Sequence, residues 1–193
     1  AREIGYLYGM YKKLSNVHAQ GVLTGKPINY GGSLVRTQAT GYVLVYFVEN
    51  MLNDRNEDFK GKRVIVSGSG NVSIYAIEKA QELGALVVAC SDSSGTIVDE
   101  NGLDLVLIKQ IKEVKRERIQ AYCDVHPNAI YHADPKALYD VSCDIAFPCA
   151  TQGYIQFEQS QSLYAKGCRY VAECANIPIS LEAIQFFLDH WVY

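Results

Sequence analysis

Several features that would assign this 193-residue chain to a class at once are missing. No apolar run approaches the roughly 18 residues of a membrane-crossing helix, so no membrane span is expected. The start, Ala1-Arg-Glu-Ile-Gly, has neither the apolar core of a signal peptide nor an initiator methionine. A cytoplasmic protein, met as a fragment or processed chain, is the expectation. Charge of one sign is also missing. Lys and Arg number 18 against 21 Asp and Glu, a net of −3, which gives no reason to expect nucleic acid or an anionic membrane as partner. The six cysteines (90, 123, 143, 149, 168 and 174) include no C-x-x-C pair, and no histidine cluster joins them at zinc-ligand spacing. Buried, reduced thiols are expected, with no metal site. No internal repeat or low-complexity segment occurs. With 49% apolar and 20% charged residues, the chain can bury one large domain and a fragment of another.

What is present changes character along the chain. Ile4, Leu7, Tyr8, Tyr11 and Leu14 stand at helical spacing, and Lys12 and Lys13 suit the C-terminal end of that helix. Gly21 to Gly32 is glycine-rich and reads as a loop. A densely apolar helix is expected over 37–52, followed by a polar turn. From there strands and helices alternate. A strand over 62–67, a helix over 72–83 closed by Gly84, and a strand over 85–90 form one βαβ unit. Gly95 and Asn101-Gly102 read as the turns of a small hairpin, before a charged helix over about 104–118. Strands at 143–148 and 168–173 and helices at 157–165 and 180–190 follow, with Ser180 as the last N-cap. This alternation predicts an α/β fold, a Rossmann-like, doubly wound and mainly parallel sheet with helices on both faces. Residues 1–55 are expected to form a helical or linker segment, and 56–193 the dinucleotide-binding domain.

The organising stretch is Val64-Ile-Val-Ser67-Gly68-Ser69-Gly70-Asn71-Val72-Ser73. A β-branched run ends in two glycines one residue apart, and a helical pattern starts at once. The first glycine permits a tight turn and the second lets backbone approach a pyrophosphate held at the helix start. Ser73 takes the third small position. Asp92 lies 22 residues beyond Gly70, at the end of the next strand, where an acidic residue usually meets the adenosine ribose. An acid on the 2′-hydroxyl would favour NAD. However, Ser91, Ser93 and Ser94 flank it, and the next helix carries Lys109, Lys112, Lys115, Arg116 and Arg118, which lean toward NADP.

A family resemblance rests on runs spread through the chain. They are Lys12-Lys-Leu, Gly21-Val-Leu-Thr-Gly-Lys26, Gly31-Gly-Ser-Leu-Val-Arg36, Ala39-Thr-Gly-Tyr42, Ser67-Gly-Ser-Gly-Asn-Val72, Ser91-Asp-Ser-Ser-Gly95, Pro148-Cys-Ala-Thr-Gln152 and Ala172-Glu with Ala175-Asn176. The chain resembles the coenzyme-binding part of the hexameric, short-subunit, NADP-preferring glutamate dehydrogenases. The resemblance implies an oxidoreductase interconverting L-glutamate and 2-oxoglutarate plus ammonia, and a homo-oligomer for the full chain. It implies Thr40 at the nicotinamide end and Asn71 on the coenzyme at the helix start. Asp92, Ser93, Lys115 and Arg118 would surround the 2′-phosphate, Ala150 and Thr151 would lie beside the ribose, and Asn176 near the nicotinamide. Each has a plainer reading: Thr40 as a helix-capping hydroxyl, Asn71 as an N-cap, Asn176 as a turn residue. The family's acid–base aspartate would fall just before Ala1, and the glycine-rich segment expected after the last helix is missing, so no catalytic residue is assigned. A degenerate nucleotide-binding module and another amino-acid dehydrogenase stay open as alternatives. Val43 and Cys174 stand where the family usually has glycine, so either side chain would crowd the cleft, or Val43 would sit on the buried side of its helix.

Overall fold

A computed structural model describes residues 2–193, so Ala1 lies outside it. Two compact units divide between Thr40 and Gly41. In the first, α1 (Arg2–Ser15) carries Glu3 in its first turn and Lys12 and Lys13 in its last, each sign at the helix end that favours it. Its buried face includes Gly5, where a Cβ would stand 3.3 Å from the Tyr30 ring, and Tyr8, whose ring lies 5.2 Å from the Lys26 ammonium. The glycine-rich loop contains two single-turn helices, Gln20–Val22 and Ile28–Tyr30.

The second unit begins inside α2 (Arg36–Asn53), whose Leu44, Val45, Val48 and Leu52 are buried. There follow β1 (Arg63–Ser67), α3 (Asn71–Glu82), β2 (Leu86–Asp92), β3 (Gly95–Val98) and α4 (Leu105–Lys109). The chain is completed by β4 (Ile130–His132), β5 (Ile145–Pro148), α5 (Phe157–Ala165), β6 (Tyr170–Val171) and α6 (Leu181–Asp189). The strands form one sheet in the order β4-β3-β2-β1-β5-β6. Strands β2, β1, β5 and β6 are mutually parallel, and β3 and β4 extend that sheet as antiparallel edge strands. The expected Rossmann-like architecture is thus present. Alternation along β1 explains why its run is apolar throughout. Val64 and Val66 face a core shared with α2, α3, Ile108 and Ile111, while Ile65 faces a second core with Leu163, Ala183 and Phe187. No helix among the described residues is long and apolar enough to cross a membrane.

Three elements differ from their sequence patterns. Gly95 is not a turn residue. It opens β3 opposite Asp92, and the reversal falls on Ser93-Ser94. A glycine is needed there because a Cβ would stand 2.3 Å from the His132 carbonyl oxygen and 2.6 Å from the Tyr131 ring. The helix expected over 104–118 starts as its cap demands, with the Asp104 carboxylate accepting from Leu107 N at 3.1 Å. After Lys109 it widens to a π pitch over Gln110–Lys115 and stops at Arg116, which adopts a left-handed φ of 60°. The strand expected over 168–173 narrows to the two residues that pair with Ile145 and Ala146. Other punctuation holds. Gly84 follows α3 with a φ of 91°, and Ser180 Oγ accepts from Ala183 N at the start of α6.

Gly41 sets how closely α2 approaches the first turns of α3. A Cβ there would lie 2.6 Å from Ala76 N and 2.7 Å from Val72 O, both backbone atoms. Gly41→Ala gains about 1 kcal/mol of helix propensity, but overpacking against backbone costs on the order of 1–3 kcal/mol. A net loss of about 1 kcal/mol, the middle of that difference, is expected in a urea melt, and a raised midpoint would contradict this reading of the crossing.

Candidate functional site

The chain leaves β1 through α3 to β2 on one side, while β5 pairs on β1's other side. At such a switch point the connections diverge and leave a crevice beyond the carboxyl ends of the strands. A cleft of about 370 Å³ opens here. Its floor is the turn Ser67–Gly70, and three serine hydroxyls fix that turn. Ser67 Oγ accepts from Cys149 N at 3.0 Å and Ala150 N at 3.1 Å, tying β1 to the exit of β5. Ser91 Oγ, from β2, accepts from Gly68 N at 3.1 Å. Ser73 Oγ, from α3, donates to Ser67 O at 3.1 Å.

The two glycines answer different needs. Gly68 has a φ of 89°, and a Cβ would stand 2.7 Å from Ser73 Oγ and 3.2 Å from Ala150 Cα. Gly70 is the N-cap of α3, makes no side-chain cap hydrogen bond, and would place a Cβ in open space. The first N–H groups of a helix have no acceptor within it, and the glycine at the N-cap contributes no side-chain acceptor of its own. The positive end of α3 therefore opens on the cleft, an arrangement suited to an anion.

Asp92 stands at the other wall with its charge already engaged. Oδ1 accepts from Ser94 N at 2.7 Å and Ser94 Oγ at 2.6 Å, and Oδ2 accepts from Ile119 N at 2.9 Å and Lys112 Nζ at 3.3 Å. Its burial (8% exposed) works against the charged form. The Ser94 and Ile119 hydrogen bonds and Lys112 outweigh that and hold the carboxyl at about 2. These four donors occupy the positions at which a carboxylate accepts. Arg118 donates to Ser93 Oγ. The cationic side of the cleft is therefore Lys112 and Arg118, beside the Ser93 hydroxyl.

Of the residues singled out in the sequence, Gly68, Ser69, Gly70, Asp92, Ser93, Arg118, Ala150 and Thr151 line this one cleft. Asn71 is exposed at the first position of α3, one residue past the N-cap, and Val72 is half-buried against the core. Lys115 is exposed and does not line the cleft, where Lys112 stands instead. Asn176 is exposed in the loop after β6, outside the lining, although its neighbours Cys174 and Ala175 donate to Pro148 O at 3.2 and 3.1 Å. Thr40 ends the first unit, with its Oγ1 3.4 Å from Arg36 Nη1. Val43 is 64% exposed on α2, so it sits neither in the cleft lining nor on the helix's buried side. Cys149 and Tyr154 also line the cleft. Nothing in the sequence pattern marks Tyr154, whereas Cys149 lies within the Pro148-Cys-Ala-Thr run. None of the six cysteines is in a disulfide, and no cluster of three or more His, Cys, Asp or Glu among the described residues is arranged to hold a metal ion.

Residues 31–193 match the model of the glutamate/leucine/phenylalanine/valine dehydrogenase family. The chain is 50% identical to an NADP-specific glutamate dehydrogenase of Helicobacter pylori over 97% of its own length and 43% of that protein. It is 46% identical to the Escherichia coli NADP-specific glutamate dehydrogenase over 96% of its length and 42% of that protein. A Plasmodium falciparum glutamate dehydrogenase structure superposes over the whole chain, and 41% of its own, with a TM-score of 0.90 at 41% identity. The chain thus spans less than half the length of the relatives it matches.

The Asp92 clamp carries a pH signature. Its carboxyl titrates near 2 in the folded state and near 3.8 ordinarily, so its contribution is complete above about pH 4 and lost as pH falls toward 2. That contribution is on the order of 2 kcal/mol. In Asp92→Asn an amide N–H meets a converging donor, with an expected loss of about 2–3 kcal/mol at pH 7. The gap between parent and variant in urea unfolding should shrink as pH drops from 4 to 2. A gap independent of pH would refute the clamp.

Proposed function

Since this chain belongs to the glutamate/leucine/phenylalanine/valine dehydrogenase family, we propose that it is the NADP(H)-binding region of a glutamate dehydrogenase interconverting L-glutamate and 2-oxoglutarate plus ammonia. The observation that carries the reading is one cleft that joins the glycine turn at the N-cap of α3 to Ser93, Lys112 and Arg118. The helix start and the glycine turn would hold the pyrophosphate. Ser93, Lys112 and Arg118 would hold the 2′-phosphate, because charge-assisted donors suit a dianion, and Lys115 would add an outer cation. Asp92 supports NADP rather than NAD. Its four internal donors leave it poorly placed to accept from a ribose 2′-hydroxyl, and they offset the charge that would repel a 2′-phosphate.

The remaining assignments follow the same reading. Ala150 and Thr151 would border the ribose, Asn71 would meet the coenzyme at the helix start, and Thr40 and Asn176 would serve the nicotinamide end. The coenzyme supplies hydride transfer, and these residues bind and orient it. Residues 1–55 would bridge to a substrate-binding portion and 56–193 form the coenzyme domain. A cytoplasmic homo-oligomer, hexameric in its full-length form, completes the proposal. The acid–base groups are assigned to no residue of this chain.

Titration with NADPH and NADH, followed by reduced-nicotinamide fluorescence, tests the reading. NADPH should bind more tightly. Arg118→Ala and Lys112→Ala should each weaken NADPH by roughly 10- to 100-fold, the worth of one charge-assisted hydrogen bond, and change NADH little. Equal losses for both coenzymes would overturn the assignment of these side chains to the 2′-phosphate.

A further inference from the structure

The cleft wall contains a pair of thiols that coenzyme binding does not require. Beyond the last paired residues of β5 and β6 the backbones stay side by side. Ala172 N donates to Ala146 O at 3.1 Å, and Cys174 N to Pro148 O at 3.2 Å. Adjacent strands run about 4.7–4.9 Å apart, inside the Cα separation of about 4.4–6.8 Å that a disulfide spans. Cys149 and Cys174 are neighbours in this continuation, and their thiols hydrogen-bond to each other. Cys149 lines the cleft, and Cys174 is half-buried beside it, within reach of a small oxidant.

We propose that Cys149 and Cys174 form a redox-modification site whose disulfide weakens coenzyme binding. This rests on the cleft being the coenzyme site. The reaction needs hydrogen peroxide as oxidant. The Cys174 thiol ionises and its thiolate attacks a peroxide oxygen, so an S–O bond forms, the O–O bond breaks, and the hydroxide that leaves takes up the proton Cys174 gave up, as the first water. Cys149 then attacks that sulfur, so the S–S bond forms, the S–O bond breaks, and the departing hydroxide takes the Cys149 proton as a second water. Two thiols and one peroxide give one disulfide and two waters. The pair is asymmetric in the required sense. The hydrogen bond from Cys149 draws the Cys174 thiol below its ordinary value against partial burial, while burial raises Cys149.

The fold supplies its own control. Cys143 and Cys168 also hydrogen-bond thiol to thiol, but they are 3% and 0% exposed and border no cleft. They should stay reduced. Closing the outer pair to an S–S length of about 2.05 Å draws Cys149 toward Cys174. The Cys149 and Ala150 amides are the ones held by Ser67 Oγ, so the displacement reaches the wall at Ala150 and Thr151.

The test treats the full-length protein with a small excess of hydrogen peroxide, alkylates it, maps its disulfides and titrates NADPH before and after. A Cys149–Cys174 disulfide should form and Cys143–Cys168 should not. NADPH affinity should fall by about tenfold and return with dithiothreitol. Cys174→Ser should bind NADPH like the reduced parent and ignore peroxide. Saturating NADPH should slow the oxidation. The absence of that disulfide, or its formation with unchanged affinity, overturns the proposal. A reduced protein that binds no NADPH overturns the coenzyme reading and the control with it, and the disulfide map tells that failure from the others.

Discussion

One hydroxyl joins the two strands between which the cleft opens. At the last pair of β1 and β5, Ser67 with Pro148, Ser67 Oγ takes two consecutive amides, Cys149 and Ala150, while its own carbonyl accepts from Ser73 on α3. Ser67 is buried, so each of these bonds forms where water cannot substitute for it, and losing the hydroxyl would strand two amides. Strand, helix start and the far wall thus hold one geometry. Ser73 and Ala150 can close on this turn only because Gly68 carries no Cβ, which would stand 2.7 Å from Ser73 Oγ and 3.2 Å from Ala150 Cα. Bonds within the chain shape the cleft, and a helix terminus held in this way can act as an anion site at low ordering cost.

Asp92 performs the corresponding task on the other side. A carboxylate at the end of the second strand is well placed to receive a ribose hydroxyl, yet here it faces inward and binds the Ser93-Ser94 reversal to the turn at Ile119. The same bonds that neutralise it bring Ser93, Lys112 and Arg118 onto one wall. Recognition and scaffolding are therefore coupled. The charge that would discriminate against a phosphate is used to assemble the groups that would receive one.

Much of this was legible in the sequence, and what was not has physical causes. The βαβ unit, the glycine turn and the position of Asp92 follow from local rules: β-branched runs, turn chemistry and fixed spacing. The orientation of Asp92 does not, because Lys112 and Ile119 are 20 and 27 residues away in sequence and reach it only through folding. Gly95 reads as a turn because glycine favours turns, whereas its cause is the close passage of Tyr131 and His132. Lys112 and Lys115 stand three apart, yet Lys112 lines the cleft and Lys115 does not. On an α-helix, residues three apart share a face, but the wider π pitch over Gln110–Lys115 carries Lys115 off the cleft side. The left-handed Arg116 then turns the chain so that Arg118 faces back.

The two positions where this chain departs from a glycine of its family pattern show how context decides the cost of a side chain. Val43 projects outward from α2 and is mostly exposed, two residues from Gly41, where a single added carbon would strike the backbone of α3. The helix therefore tolerates a valine on one face and only a hydrogen on the next. Cys174 is the more consequential substitution, since it introduces a thiol beside one already in the cleft wall. A glycine there would leave Cys149 with no sulfur partner at that position. With cysteine, the pair gains a donor and an acceptor, and with them a chemistry that the buried pair of Cys143 and Cys168 shares in composition but lacks in access. Access, more than the identity of the side chains, separates a reactive pair of thiols from an inert one.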